Sequence, residues 1–507
     1  MTMPQLARQD WYDLARDMNW TLRYVTDEEA FPRDLAGPSD IADASWRTWD
    51  EPYKVTYADY VRNQSEKDTQ VYAVKNAIAR SNLFKQLDRG WLSTIFMHYG
   101  ALAAAEYMAS IAEARMARFG RAAAWRNMAS YGALDEMRHA QIQLFFPHGL
   151  LNQDYWHFDW VHRFLHSNNW AAVAVRHMLD DMATGNHALG TATTLTYVFE
   201  TGFTNLQFLG MAADAMKMGD VEFGTLISSI QTDESRHAQQ GEPTLRILLK
   251  EGKKDEAQQM IDRMFWRSWR VFEAVSGTPM DYYIPLENRT MSFKEFMQEW
   301  ILKQFLDQFE DFGLKRPWYW DIFVDEINWV HHSNHLGYWF WRPVMWWDPD
   351  VGISEAERAW LEEKYPGWND SYGKMWDTIT PYVAQRVNSG ELGQTLPATL
   401  PVLCNLCQLP IVRNPARQAG VEPYPLDYQG RHYTFCSEPC RWIFETAPER
   451  YQGHLSIVDR FVAGQIQPPT LEGAVQYMGI RPELGGKDGQ NFRWAVPDRD
   501  GSHSAVI

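Results

Sequence analysis

One pentad occurs twice in this chain, as Asp135-Glu136-Met137-Arg138-His139 and as Asp233-Glu234-Ser235-Arg236-His237. Within each copy a carboxylate and an imidazole stand three residues apart, so on an α-helix both side chains leave one face toward the same point. A chain with 15 His yields a Glu-x-x-His by accident about once. The full pentad is expected on the order of a hundredth of a time, and no further Glu-x-x-His occurs. Two solvated helix faces with accidental charge patterns are a poor account of that repetition.

Two further carboxylates precede the pentads. Glu106 sits in an Ala-rich apolar run 30 residues before Glu136, and Glu200 in the run Leu195 to Phe203, 34 residues before Glu234. The near-equal offsets predict two similar helical hairpins about a pseudo-twofold axis. A single Glu inside an apolar helical face is costly unless paired or metal-bound; the alternative is an edge Glu in an ordinary helix. One Glu-x-x-His from each of two helices, with one Glu from each of two others, is the ligand set of a carboxylate-bridged di-iron centre in a four-helix bundle. Four carboxylates and two imidazoles suit iron or manganese better than copper(I) or a structural zinc. Asp135 and Asp233, each four residues before its pentad's His, can accept from imidazole N–H groups and fix the tautomers. Arg138 and Arg236 then balance an anionic site, with a surface role left open.

The surrounding chain agrees with a helical protein. Residues 1–90 mix aromatics with Pro and Asp and read as an N-terminal arm with short helices. Long segments with few prolines follow within 91–345: His98 to Phe119, Arg126 to Phe146, Ala171 to Leu189, Thr191 to Met216 and Val221 to Leu249. Their apolar spacing is helical and strand patterns are not interleaved, which predicts an all-α bundle. A second helical stretch runs from about Ser292 to Trp341. Residues 346–396 read as a helical and loop extension with a helix from Ser354 to Tyr365. Residues 397–450 form a small cysteine-bearing module, and 451–507 a C-terminal segment, Gly- and Asp-rich and irregular from Gly485.

Composition excludes some classes. A net charge of -17 argues against nucleic acid, which calls for a basic patch or stripe. The 24 Trp, 23 Tyr and 25 Phe are bulky core and subunit interface. Met1 to Trp20 lacks a signal-peptide apolar region. No run of about 18 apolar residues offers a membrane span, and a cytoplasmic location is the default expectation.

All four cysteines lie between 404 and 440. Cys404-Asn-Leu-Cys407 and Cys436-Ser-Glu-Pro-Cys440 give C-x₂-C, 28 residues, then C-x₃-C. In a cytosolic protein this reads as a tetrahedral zinc site rather than as disulfides. Four reduced cysteines without metal, or an iron–sulfur cluster, are the alternatives. His331, His332 and His335 also cluster, but with Trp and Tyr neighbours and no acidic partner in view they read as buried or interface histidines.

Several longer stretches carry a family resemblance. Glu106-Tyr107, Asp135 to Ala140, Phe199-Glu-Thr-Gly-Phe-Thr-Asn205 and Ser228 to Gln239 resemble the hydroxylase large (α) subunit of bacterial multicomponent monooxygenases. The toluene, aromatic and alkene group is more similar than soluble methane monooxygenase. The likeness extends over nearly the whole chain, through Asp10-Trp-Tyr-Asp13, Met280-Asp-Tyr-Tyr283, Lys315 to Asp321 and Val458 to Pro468. Tyr433 to Glu445 resembles the YHS-type treble-clef module. The implied fold is all-α: a ferritin-like di-iron four-helix bundle core with extra helices, plus a small C-terminal Cys₄ YHS-like module.

The resemblance implies roles. Glu106, Glu136 and His139 would hold one iron, Glu200, Glu234 and His237 the other, with Glu136 bridging. Thr204 matches a threonine associated with proton delivery, although a mid-helix threonine also back-bonds to the carbonyl four residues earlier. Asn205 and Gln231 match polar residues that respond to an effector protein. Leu102, Ala105, Ala109, Leu179, Leu195, Phe199 and Phe208 would line a substrate pocket; Leu179 falls where toluene-oxidising relatives tend to carry an aromatic. The implied activity is O₂-dependent insertion of one oxygen atom into a small apolar hydrocarbon: aromatic ring hydroxylation, as of toluene or benzene, or alternatively alkene epoxidation or thioether oxidation. No dinucleotide fingerprint is present, so NADH would act through a partner reductase and a Rieske-type ferredoxin. A small effector protein and β and γ hydroxylase subunits are implied alongside. A ribonucleotide-reductase-like radical subunit and a non-enzymatic ferritin-like protein are the rival readings. The first needs an oxidisable Tyr beside the iron, where Thr204 and apolar residues stand, and the second is normally much shorter.

Overall fold

The computed structural model describes residues 7, 9, 10, 13, 14 and 23–478, apart from 39, 82, 149–167, 342–344, 348, 350, 352, 389–400, 413, 415–422, 471–472 and 475–476. The Trp-Tyr pair between Asp10 and Asp13 and the tail from Gly485 lie outside the described residues.

Helices build nearly everything. The first long one, α1, is Tyr57–Ile78, capped by Thr56. Helix α2 is Arg89–Phe119, its start fixed by Asp88, whose carboxylate accepts from the amides of Gly90 and Trp91. Helix α3 is Ala123–His148. Trp170–Ala183 forms α4, capped by Asn169. Helix α5 is continuous from Ala188–Thr191 through a π-helical stretch, Ala192–Thr204, into Asn205–Lys217. Helix α6 begins at Val221–His237, tightens to a 3₁₀ turn at Ala238–Gln240 and continues as Gly241–Lys250. Asp220 caps it through the Phe223 amide and also accepts from the Trp91 indole at 3.0 Å, tying α6 to α2.

The short connection from α2 to α3 makes them antiparallel neighbours, and α5 and α6 form the second such hairpin. The hairpins pack against each other, α1 lies over α6, and α4 packs on α2. Helix α7, Lys254–Phe272, covers the π stretch of α5 and extends as π turns to Tyr283. This packing closes at Gly202, where an added Cβ would fall 1.9 Å from the Phe305 ring.

The cysteine module is the one place with strands among the described residues. Strands β1, Tyr424–Tyr428, and β2, Arg431–Phe435, pair antiparallel across a two-residue turn. Both turn residues, Gln429 and Gly430, have positive φ, the type I′ geometry that matches strand twist. Helix α8, Glu438–Thr446, follows with Ser437 as its cap and packs on α7.

Three expectations need correction. The N-terminal region holds a 22-residue helix, α1, rather than short helices alone. Its apolar stripe is thin because the face it buries carries Tyr60, Gln64 and Lys75 as well as Val71. The predicted helix Ala171 to Leu189 ends at Ala183, where a bend through Gly185 separates it from α5. The stretch Ser292 to Trp341 is broken at Gly313, which has φ of 62°, and resumes as Trp320–Glu326 and Val330–Phe340.

Candidate metal centre

The bundle brings all six anticipated side chains together. Glu106 comes from α2, Glu136 and His139 from α3, Glu200 from the π stretch of α5, and Glu234 and His237 from α6. All six are buried. They form two overlapping groups with ligand atoms within 4.8 Å of one another: Glu106, Glu136, His139 and Glu234, and Glu136, Glu200, Glu234 and His237. Glu136 and Glu234 belong to both groups, so two carboxylates, rather than Glu136 alone, stand between the halves.

The histidines face inward through one nitrogen only. His139 Nδ1 lies 3.1 Å from Glu234 Oε1 and 3.5 Å from Glu136 Oε2, while its Nε2 lies 3.2 Å from Asp233 Oδ2. His237 Nδ1 lies 2.9 Å from Glu136 Oε1, and its Nε2 is 3.0 Å from Asp135 Oδ2. The orienting aspartates therefore reach across the bundle, each to the other pentad's His. An Asp acceptor at Nε2 assigns the ring proton there and leaves a lone pair at Nδ1. Two lone pairs aimed at carboxylate oxygens are repulsive unless a cation lies between.

Unpaired atoms point the same way. Glu136 Oε2, His139 Nδ1, Glu234 Oε1 and both Glu200 oxygens are buried with no hydrogen-bond partner. Burial first, then the charge of Glu234, pushes Glu106 up to about 7 and Glu136 and Glu200 well above the usual carboxylate range. Buried carboxylates in such number are held by coordination to hard cations. The donor set and its geometry fit a pair of such ions.

Outside this cluster, Arg236 donates to Asp135, and Arg138 reaches Asp68 at 2.7 Å and Asp233 at 3.4 Å. Neither arginine is a free surface charge. Burial raises Asp233, but its hydrogen bonds with His139 and Lys67 outweigh this and hold it below the ordinary range.

A cavity of about 310 Å³ runs beside the centre. Ala105, next to Glu106, and Phe199, next to Glu200, are in its wall with Thr204, Leu102 and Leu179. It extends past Val175, Val271 and Met280 toward the half-exposed Leu209 and Trp300. Ala109 and Leu195 pack instead in a small buried cluster with Leu179 and Met182, and Phe208 packs edge-on to His98. These three residues are core, not lining. Thr204 Oγ1 is 3.5 Å from the Glu200 carbonyl, so the wall position and the back-bond coexist. Asn205 and Gln231 both approach Ser235: Gln231 donates to its hydroxyl at 2.7 Å, and that hydroxyl lies 3.5 Å from Asn205 Oδ1.

Other buried groups were not anticipated. Gln143 donates to Glu106 at 2.5 Å and Gln240 to Glu113 at 2.6 Å. Glu113 is pushed to about 8 by burial; its only sequence signal is a heptad offset from Glu106. Tyr60, Gln64 and Lys67 on α1 all contact the aspartates. His331, expected to lack an acidic partner, has Asp281 at 2.8 Å. Asp281 is already occupied by the Tyr365 hydroxyl and the Phe293 amide, which makes this a structural hydrogen-bond network.

The four cysteines converge as free thiols. Cys407 and Cys436 sulfurs are 3.8 Å apart, and Cys436 and Cys440 3.5 Å. Four thiolates around one zinc at the usual bond length stand roughly 3.8 Å apart. The Trp266 indole of α7 donates to Cys440 Sγ at 3.2 Å.

Residues 20–252 match the Methane/Phenol/Alkene Hydroxylase family, and residues 413–455 match the YHS domain. The chain is 47% identical to the alkene monooxygenase oxygenase component subunit alpha of Xanthobacter autotrophicus, over 97% of this chain and 98% of that one. This chain belongs to the methane/phenol/alkene hydroxylase family. It is also 27% identical to the phenol 2-monooxygenase oxygenase component of Pseudomonas sp. strain CF600, over 91% of this chain and 88% of that one. The xenon-pressurized phenol hydroxylase from Pseudomonas sp. OX1 superposes with a TM-score of 0.81 at 25% identity, covering 96% of this chain and 99% of that one. As a family member the hydroxylase is the oxygenase α subunit of a multicomponent di-iron monooxygenase, working with other subunits and a reductase. No helix among its described residues is long and apolar enough to cross a membrane.

Proposed function

We propose that Glu106, Glu136 and His139 hold one iron and Glu200, Glu234 and His237 the other, and that the enzyme transfers one atom of O₂ to a small apolar substrate in the adjoining cavity. The observation that carries this reading is the pair of overlapping buried ligand groups sharing Glu136 and Glu234. Reduced iron supplies the O₂ activation. The chain supplies carboxylates with unpaired oxygens, imidazoles fixed by Asp135 and Asp233, and a cavity wall in which the Thr204 hydroxyl, one turn from Glu200, serves as a proton donor.

The substrate class best supported is a short alkene, giving an epoxide, because the 47% identical relative is an alkene monooxygenase. Aromatic hydroxylation is the second reading. The phenol 2-monooxygenase relative and the phenol hydroxylase fold favour it. We further assign Cys404, Cys407, Cys436 and Cys440 to a structural zinc, supported by the sulfur spacing. Partners of the proposal are β and γ subunits, an effector protein acting near Asn205 and Gln231, and a Rieske-type ferredoxin with an NADH reductase. Four free thiols support a cytoplasmic setting.

The test is oxidation of a short alkene, toluene and a thioether in competition by the reconstituted complex, with iron measured in parallel. Wild-type protein is expected to hold two irons per chain and to favour the alkene. Glu234→Ala is expected to lose both iron and turnover. Full turnover by that variant refutes the ligand assignment, and preference for toluene replaces the alkene reading.

A further inference from the structure

Helix α1 carries none of the six proposed ligands, yet three of its side chains converge on the aspartates behind them. Gln64 Nε2 lies 2.8 Å from Asp135 Oδ1 and 2.8 Å from Asp233 Oδ1. The flanking oxygens are carboxylates, so the Gln64 amide must present its nitrogen and donate one hydrogen to each. Tyr60, one turn earlier, donates to Asp135 Oδ1 at 3.0 Å. Lys67, on the next turn, reaches Asp233 Oδ1 at 2.5 Å. Asp135 and Asp233 are the groups that orient His237 and His139.

The arrangement is branched. By hydrogen bonds Tyr60 serves the His237 branch and Lys67 the His139 branch, while Gln64 joins the two; Arg236 spans them more loosely, donating to Asp135 and standing 3.6 Å from Asp233. All four groups Gln64, Tyr60, Asp135 and Asp233 are buried, where competing water is absent and each hydrogen bond is strong. Any change in the strength of the bond from one imidazole to its aspartate alters what that aspartate accepts from Gln64.

We infer that Gln64 is a positioning residue that couples the two histidine ligands, and that Tyr60 and Lys67 tune one iron each. The inference rests on the two-iron reading above. Helix α1 thereby fixes the orientation of both imidazoles from outside the ligand-bearing hairpins. The Tyr60 and Gln64 part of its buried polar face, unexpected in a packing helix, is explained by this task.

The test uses the full oxygenase complex loaded with Mössbauer-active iron, carrying Tyr60→Phe, Lys67→Met or Gln64→Leu. Tyr60→Phe is expected to shift the signal of one iron more than the other, Lys67→Met to do the reverse, and Gln64→Leu to shift both. Gln64→Leu is also expected to lower iron affinity about 10- to 100-fold, the scale of outer hydrogen-bond partners of metal-bound histidine. The three variants are unfolded thermally without metal in parallel, because a merely structural role would lower unfolding temperature and leave the two iron signals moving together. If Gln64→Leu does not fold, Tyr60→Phe and Lys67→Met carry the site-selective readout. Both irons shifting equally in the single-branch variants, or none shifting in any, overturns the inference. Absence of two iron signals in the wild type would instead sink the two-iron reading itself.

Discussion

Asp135 shares a helix with His139, yet its Oδ2 stands 3.0 Å from Nε2 of His237 on the opposite hairpin. Asp233 returns the favour to His139 at 3.2 Å. This crossing predicts which pairs of substitutions interact. In metal-free protein, Asp135→Ala with His237→Ala should show a coupling of about 0.5–3 kcal/mol, as contacting pairs do. Asp135→Ala with His139→Ala, which are linked only indirectly through Gln64 and Asp233, should show the smaller coupling of the two. Thermal double-mutant cycles measure both, and the reverse pattern would contradict the crossed arrangement.

Gly202 sits two residues from Glu200 with the Phe305 ring pressed to its backbone. Gly202→Ala forces a methyl into an aromatic ring held among Phe203, Phe265 and Phe309. We expect a loss of about 1–3 kcal/mol from overpacking and a displaced Glu200. Denaturant midpoints and iron content read the two effects separately.

Cys436→Ser should unfold the small module and lower the melting temperature while iron bound per folded chain stays near wild type. Trp266→Phe, which removes the N–H bond to Cys440 Sγ and shrinks a fully buried ring, should cost about 1–3 kcal/mol. Zinc release measured against unfolding tests the pair; loss of iron in step with zinc would argue for a tighter link between the sites.

Asp214 lies in the cavity wall, and burial raises it from 3.8 to about 6 against the opposing charge of Lys217. The folded state thus binds this proton more tightly than the unfolded chain. Stability from that difference is complete below about pH 4 and is lost as pH rises to about 6. Asp214→Asn should abolish the slope and gain about 1–3 kcal/mol over wild type at pH 7, after allowance for partial exposure. Melting temperatures of both proteins between pH 4 and 8 are the check.

Leu179→Phe fills part of the cavity wall beside the centre. Turnover of toluene should rise relative to a short alkene by up to about tenfold, because the added ring gives an aromatic substrate a face to pack on. A ratio of kcat/KM values unchanged by the substitution would remove Leu179 from the substrate-facing wall.

The ligand cluster was legible because its chemistry is local: Glu136 with His139, and Glu234 with His237, each lie on one helical face, a spacing that sequence displays directly. The helical class followed from apolar periodicity in α2, α3 and α6. The crossing of Asp135 and Asp233 was not legible, since it depends on the packing of two hairpins. Helix α1 was hidden for a related reason: hydrophobic patterning is blind to a buried face made of Tyr60 and Gln64. The cavity residues divided similarly. Leu102, Ala105, Leu179 and Phe199 face the cavity while Ala109, Leu195 and Phe208 do not, because apolar side chains at helical spacing look alike whether they border a void or fill one.

Among the four carboxylates at the centre, restraint is unequal. Glu106 is anchored by Gln143, whereas neither oxygen of Glu200 has a hydrogen-bond partner. Glu200 also rides on the Ala192–Thr204 coil, whose hydrogen bonds span one residue more than an α-helix allows. Of the four proposed carboxylate ligands, only Glu200 thus stands on backbone that departs from the α-helical register.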